Sequence, residues 1–379
     1  MKKSGPGLEN AGALAHFYEA LEHVKDGSRL EPVRVIHFGD SHVAADVLTR
    51  SIRERLQSDF GDGGPGFIVP ANPMATKRAG VISGATSGWV VQGIGGKYSA
   101  DRIYGPAGFN LMTTSAGERA WLETASNHFE VYFVREPGGG SVEIQIDGVN
   151  ELQEPLSLSA RTMKLDYLTF DLPDSGSHRL ELRTLNEGRV RLLGIVAERI
   201  SPGVRYDVFG INGARANRLL SWNGPAFNAA IKALAPDLII LAFGTNELTD
   251  GDWTSQTNQS LYGEILQRLR AAAPKASILI IGPPDRADVD VAARLRLMNE
   301  SMREVAALYR AAFWSTYDAM GGAGSMNRWL RQGLAQADRV HFNSAGYYAL
   351  GARFYRDMMN GMKEGQRGGP GGHGPEARD

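Results

Sequence analysis

Apolar positions recur along this chain with two different periods, and the switch between them divides it. Leu14, Phe17, Leu21 and Val24 stand at helical spacing and predict an opening helix. The run VRVIHF at 33–38 is short, β-branched and almost wholly apolar, which predicts a strand buried on both faces. A second helical stripe follows GDSH: Val43, Val47, Leu48, Ile52 and Leu56, with Arg50, Arg53, Glu54 and Arg55 around it. Gly61 and the run GDGGPG end it. From about 62 to 205 the period drops to two. HFEVYFV (128–134), SVEIQI (141–146), LDYLTFDL (165–172), HRLELRT (178–184) and VRLLGIVAE (190–198) predict short antiparallel strands of a β-sandwich. From 206 the first pattern returns. YDVFGINGA, PDLIILAFGTNE and ASILIIGPP predict strands, with a short one near Phe313 and Trp314. Helices are expected at 215–234, interrupted by Gly224 and Pro225, around 261–269, over 287–311, and after an Asn343–Ser344 cap.

Strands alternating with helices predict an α/β fold with a parallel sheet covered on both faces. The β-rich stretch is too long for a loop and is expected to be an inserted domain. The expected division is 1–61 and 206–365 for the α/β domain, 62–205 for the insertion, and 366–379 for a Gly/Pro-rich disordered tail.

Composition narrows the chemistry. With 379 residues there is room for both units. A net charge of -1 gives no electrostatic reason to expect nucleic acid or an anionic membrane as partner. The absence of cysteine excludes a disulfide scaffold, a thiolate metal site and a cysteine nucleophile. No apolar run is long enough to span a membrane, and MKKSGPGLEN lacks the apolar stretch of a signal peptide. No H-E-x-x-H or comparable cluster suggests a metal. The glycine runs at 93–96 and 138–140 lack the strand–turn–helix setting of a phosphate cradle, so no cofactor is expected.

Four segments lie at predicted strand ends or helix starts, on the sheet edge where ligands bind. GDSH (39–42) places Ser41 near a helix start, where N–H groups and the helix dipole favour negative charge, although Asp40 or Ser41 could equally be a helix cap. Gly213 in GINGA offers a backbone N–H, or serves only the turn. Asn246 in GTNE can donate to an oxyanion, or is turn chemistry. In DRVH, Asp338 can orient His341, or the two are unrelated loop residues. His42 is read as a wall or substrate contact, and His37 as structural. Trp89, Tyr98, Tyr104 and Trp121 could line a sugar surface, with sandwich core the expected role for most of them.

Taken in order, these blocks resemble the SGNH hydrolases, the GDSL-like esterases and lipases, over roughly 31–60 and 206–360. The resemblance implies a three-layer α/β/α fold on a flavodoxin-like sheet. It implies Ser41 as nucleophile, Asp338 and His341 completing a triad, and an oxyanion hole of Ser41, Gly213 and Asn246. His42 stands where the family usually has Leu, and Glu247 where Asp is frequent. GGPGFIVP (63–70), the β-rich insertion and YDAMGGAGSMNRW (317–329) narrow the resemblance to the peptidoglycan O-acetylesterase branch, whose insertion is carbohydrate-binding-like. That implies removal of 6-O-acetyl groups from muramoyl residues, outside the cytoplasm. The alternatives are an acetylesterase or O-acetyltransferase for another polysaccharide, a GDSL lipase or thioesterase, and a non-catalytic glycan-binding protein on the same scaffold.

Overall fold

The computed structural model describes residues 7–71, 73–74, 78–93, 98–288 and 290–367. Helix α1 (Ala15–Lys25) leads to strand β1 (Val33–Gly39), then helices α2 (Ser41–Ala44) and α3 (Leu48–Phe60). The stripe read as one helix is thus two. The break falls at Asp46, a buried residue with a left-handed backbone (φ 48°). Its carboxylate accepts from Thr49 Oγ1 at 2.6 Å and from Arg53 at 2.9 and 3.1 Å, so a polar cluster overrides the apolar periodicity.

The sandwich follows: β2 (Gly66–Ile68), β3 (Val81–Ala85), β4 (Val90–Gly93), β5 (Phe109–Thr113), β6 (Arg119–Ala125), β7 (His128–Arg135), β8 (Ser141–Ile146), β9 (Val149–Asn150), β10 (Leu156–Ser157), β11 (Lys164–Asp171), β12 (Ser177–Thr184) and β13 (Val190–Glu198). The five strands expected here are present; β2, β3, β4, β5, β6, β9 and β10 were not predicted. The chain then gives β14 (Val204–Gly210), α4 (Gly224–Leu234), β15 (Leu238–Ala242), α5 (Ser255–Ala272), β16 (Ser277–Gly282), α6 (Ala292–Leu308), β17 (Ala312–Ser315), α7 (Thr316–Met320), α8 (Ser325–Arg331) and α9 (Ser344–Arg367). The stretch 215–234 is interrupted as expected, a 3-10 turn at Ala216–Leu220 giving way to α4, which Gly224 and Pro225 begin. Asn223 caps the Ala226 N–H at 3.1 Å, and proline in the first turn has no N–H to waste. Helix α9 runs two residues into the expected tail, and the rest of that tail lies outside the described residues.

Among the described residues there is one five-stranded parallel sheet, ordered β14-β1-β15-β16-β17, and two six-stranded antiparallel sheets. Counting only the parallel strands in chain order, the arrangement is 2-1-3-4-5, the flavodoxin-like winding. Helices α1, α3 and α9 pack on one face, and α4, α5 and α6 on the other. The antiparallel sheets stack as a sandwich, with β13 buried along its whole length. The chain leaves for the sandwich and returns at one place: Val204 donates to the Gly61 carbonyl (2.9 Å) and Gly63 to that of Val204 (3.1 Å). From there the sandwich lies along edge strand β14, with Phe67 edge-on to Phe209 (centroids 5.5 Å apart). No helix among the described residues is long and apolar enough to cross a membrane.

Candidate active site

In a sheet wound this way, the crevice opens where the strand order reverses, here between β1 and β15 at their carboxyl ends. Strand β1 and its neighbour β14 both end in a glycine that the next turn requires. A side chain at Gly39 would strike Val43 and the Ala242 carbonyl, and one at Gly210 would strike the backbone of Ala44. The loops after β1, β14 and β15 therefore meet at contact distance.

Ser41 opens α2. Asp40, 1% exposed, caps it by accepting the His42 N–H at 2.9 Å. Burial pushes the Asp40 carboxyl up to about 6, against the pull of that bond and of Thr245. Because α2 has only four residues, the helix dipole expected to assist Ser41 is small, and what remains are free N–H groups.

Ser41 Oγ lies 2.8 Å from His341 Nε2, and His341 Nδ1 lies 2.7 Å from Asp338 Oδ2. A carboxylate at Nδ1 holds the proton there and leaves Nε2 to accept from the serine hydroxyl. Asp338 is itself fixed: its other oxygen accepts the Val340 and His341 N–H groups, both at 3.0 Å. Arg339 adopts φ 59°, which folds Asp-x-x-His back on itself. Partial burial acts to raise the Asp338 carboxyl, but these hydrogen bonds outweigh it and hold it below its ordinary value.

Gly213 is exposed, with φ 70° and open space where a side chain would stand. Backbone conformation, not crowding, calls for glycine there. Among the described residues neither the Ser41 nor the Gly213 N–H has an acceptor. Asn246 Nδ2 donates to the Ala214 carbonyl at 2.9 Å, which leaves its second amide hydrogen for a ligand.

The residues beside these are more engaged than the sequence suggested. His42 is 7% exposed and packs under His341, ring centroids 5.1 Å apart. Its Nδ1 pairs with Tyr347 Oη at 3.0 Å, and burial drives its pKa down to about 3, so it is a neutral wall. His37 is structural as expected, buried and paired with Tyr206 Oη at 2.8 Å. Glu247, which stands where the family frequently has Asp, is buried and accepts N–H groups from two loops. Burial pushes its carboxyl up to about 7, with the Ala216 N–H, its own backbone N–H and Arg215 opposing and Asp40 adding to the rise. No sequence pattern marks it, since Ala216 lies 31 residues away. Of the four aromatics, Trp89 and Tyr104 are core, Trp121 is half-buried under Arg179, and Tyr98 is exposed. Among the described residues no three His, Asp or Glu side chains are grouped to hold a metal.

Residues 175–349 match the family model of GDSL-like Lipase/Acylhydrolase. The match includes Gly213, Asn246, Asp338 and His341 and begins well after Ser41. Among curated proteins none matches the chain. Among solved structures it is similar to a peptidoglycan O-acetylesterase, with TM-score 0.79 and 26% identity over 94% of this chain and 99% of that one. Two remoter likenesses are a family two carbohydrate esterase from Cellvibrio japonicus (TM-score 0.31, 16% identity, 75% of this chain and 98% of that one) and a salicylyl-acyltransferase from a tetracycline biosynthetic pathway (0.35, 16%, 75% and 98%). The flavodoxin-like sheet, the match of residues 175–349 to the GDSL-like Lipase/Acylhydrolase model and the full-length likeness agree, and the chain is a carboxylic ester hydrolase similar to the GDSL-like (SGNH) enzymes.

Proposed function

We propose that this esterase removes O-acetyl groups from a cell-wall glycan, the muramoyl 6-O-acetyl groups of peptidoglycan, by a serine acyl-enzyme route. The observation that carries the reading is the unbroken relay from Ser41 Oγ through His341 to Asp338, with contacts of 2.8 and 2.7 Å. His341 takes the serine proton as Ser41 attacks the acetyl carbonyl, and Asp338 stabilises the imidazolium. The tetrahedral oxyanion is met by the Ser41 and Gly213 N–H groups and the free amide hydrogen of Asn246. His341 then protonates the leaving sugar hydroxyl and later activates the water that releases acetate.

The acetylated glycan is supported by the likeness to a peptidoglycan O-acetylesterase across both chains. A cell-wall substrate puts the site of action outside the cytoplasm. On this reading 62–205 is a carbohydrate-binding-like unit inserted into the hydrolase domain. The test is acetate release from O-acetylated and from chemically deacetylated peptidoglycan, by wild type and Ser41→Ala. Release is expected only from the acetylated polymer and only with Ser41. Activity on acetylated xylan but not on peptidoglycan would reject the substrate, and an active Ser41→Ala enzyme would reject the mechanism.

A further inference from the structure

We propose that Glu247 is a positioning residue that sets the spacing between Gly213 and Asn246. The inference rests on the reading of those two residues as oxyanion donors. They stand on different loops. Gly213 belongs to the loop after β14, whose entry is tied by Ile211 donating to the Gly39 carbonyl at 3.0 Å. Asn246 belongs to the turn after β15. Glu247 joins the two: Oε1 accepts the Ala216 N–H at 2.8 Å and Oε2 accepts the Gly244 N–H at 3.1 Å. The Asn246 amide adds a third tie, to the Ala214 carbonyl. Gly213 is thus held between a fixed entry at Ile211 and a fixed exit at Ala214 and Ala216.

The chemistry of the tie requires a carboxylate. Two N–H donors need two acceptor oxygens on one short, buried side chain. An amide of the same shape offers one acceptor and turns an N–H group toward the other donor. Glu247 is 6% exposed, and among the described residues no Lys or Arg lies within ion-pair distance of it. Arg215, whose charge acts on Glu247, is itself paired with Asp250 at 2.6 Å. A buried carboxylate without a direct counter-charge is costly to keep, so stability alone does not favour it. Its two oxygens do what no apolar residue or amide does at this place.

The expected behaviour is specific to transition-state geometry. Losing one oxyanion donor outright typically costs about 10²- to 10³-fold in kcat, so a displaced donor costs about 10- to 100-fold. In Glu247→Gln, kcat on 4-nitrophenyl acetate falls by that amount while KM changes less than about twofold. Labelling of Ser41 by a neutral phosphonate ester, whose adduct also carries the oxyanion, slows in parallel. Glu247→Asp keeps two acceptors on a shorter arm and gives an intermediate kcat, whereas a merely structural residue gives no such ordering. Wild-type kcat and labelling in Glu247→Gln, with Ser41→Ala inactive, would overturn the inference and leave the mechanism standing. So would a raised KM at unchanged kcat. An active Ser41→Ala enzyme would instead overturn the reading beneath it. If Glu247→Gln does not fold, wild-type kcat in folded Glu247→Asp overturns the inference equally.

Discussion

Asp40 and His42 flank Ser41 and are both buried, yet they answer to pH in opposite senses. His42 stays neutral because burial has driven its pKa down to about 3, so it adds no charge beside His341. Asp40 has been driven up to about 6 by the same burial. Between about pH 4 and 6 the folded chain therefore binds more protons at Asp40 than the unfolded chain does. Stability from this group falls as pH rises across that window and is level above it. Asp40→Asn keeps an oxygen to cap the His42 N–H and cannot titrate. Relative to wild type it is expected to gain on the order of 2 kcal/mol between pH 4 and 6, read from urea unfolding at a series of pH values. A stability difference that stays constant with pH would refute this. The grouping of Ser41, His341 and Asp338 follows residues that stand out in the sequence, because GDSH, GTNE and Asp-x-x-His each confine their polar groups to a few neighbouring positions. The engagement of His42 with Tyr347 and of Glu247 with Ala216 was not legible there, because each partner comes from a different loop or helix.

The break between α2 and α3 shows why periodicity misleads at the scale of an element. Val43 and Ile52 both face the core, so an unbroken stripe satisfies the apolar pattern as well as two helices do. What separates the two cases is a buried polar residue that periodicity does not register. Asp46 gathers Thr49, Arg53 and Arg78 around one carboxylate, with Arg78 Nε at 3.7 Å. Asp46→Ala strands two nearly buried guanidinium groups and loses the side chain that tolerates φ 48°. A loss of about 3–5 kcal/mol in unfolding free energy is expected by chemical denaturation, and a loss below about 1 kcal/mol would show the cluster to be dispensable. The missed strands have the same origin. In β5 and β6 the buried positions include Asn110 and Thr124, which donate to the carbonyls of Ile103 and Gly80, both at 2.8 Å. Polar residues satisfied locally fill positions that a binary pattern counts as exposed. The strands that were read, such as HFEVYFV and SVEIQI, carry apolar residues at nearly all their buried positions.

For the whole molecule, the question is what makes a hydrolase sheet and a sandwich one body. The apolar core runs without interruption from Phe38 and Phe209 through Phe67 to Tyr132. Through this contact runs a line of charge. Glu198 on β13 is held by Arg34 on β1, with a closest approach of 2.8 Å, and by Arg205 on β14. Arg205 also reaches Asp207 at 3.1 Å, and Asp207 accepts the Phe67 N–H at 2.7 Å. Arg205, Glu198 and Asp207 are at most 1% exposed, so none can turn to water when a partner is lost. Arg205→Met is therefore expected to cost about 3–5 kcal/mol, mostly because two carboxylates are left without their shared cation. Glu198→Gln removes one of those carboxylates. Made on top of Arg205→Met, it is expected to cost less than it does in the wild type, or to restore stability, giving a coupling of about 1–3 kcal/mol in a double-mutant cycle. Because the aromatic contact survives both changes, the sheet and the sandwich should still unfold in a single transition in all four proteins, with calorimetric and van't Hoff enthalpies equal. Additive losses would mean that Arg205 and Glu198 act separately. A second transition in the variants would mean that the charges, and not the core, hold the sandwich against β14, the edge strand whose last residues lead into the loop of Gly213.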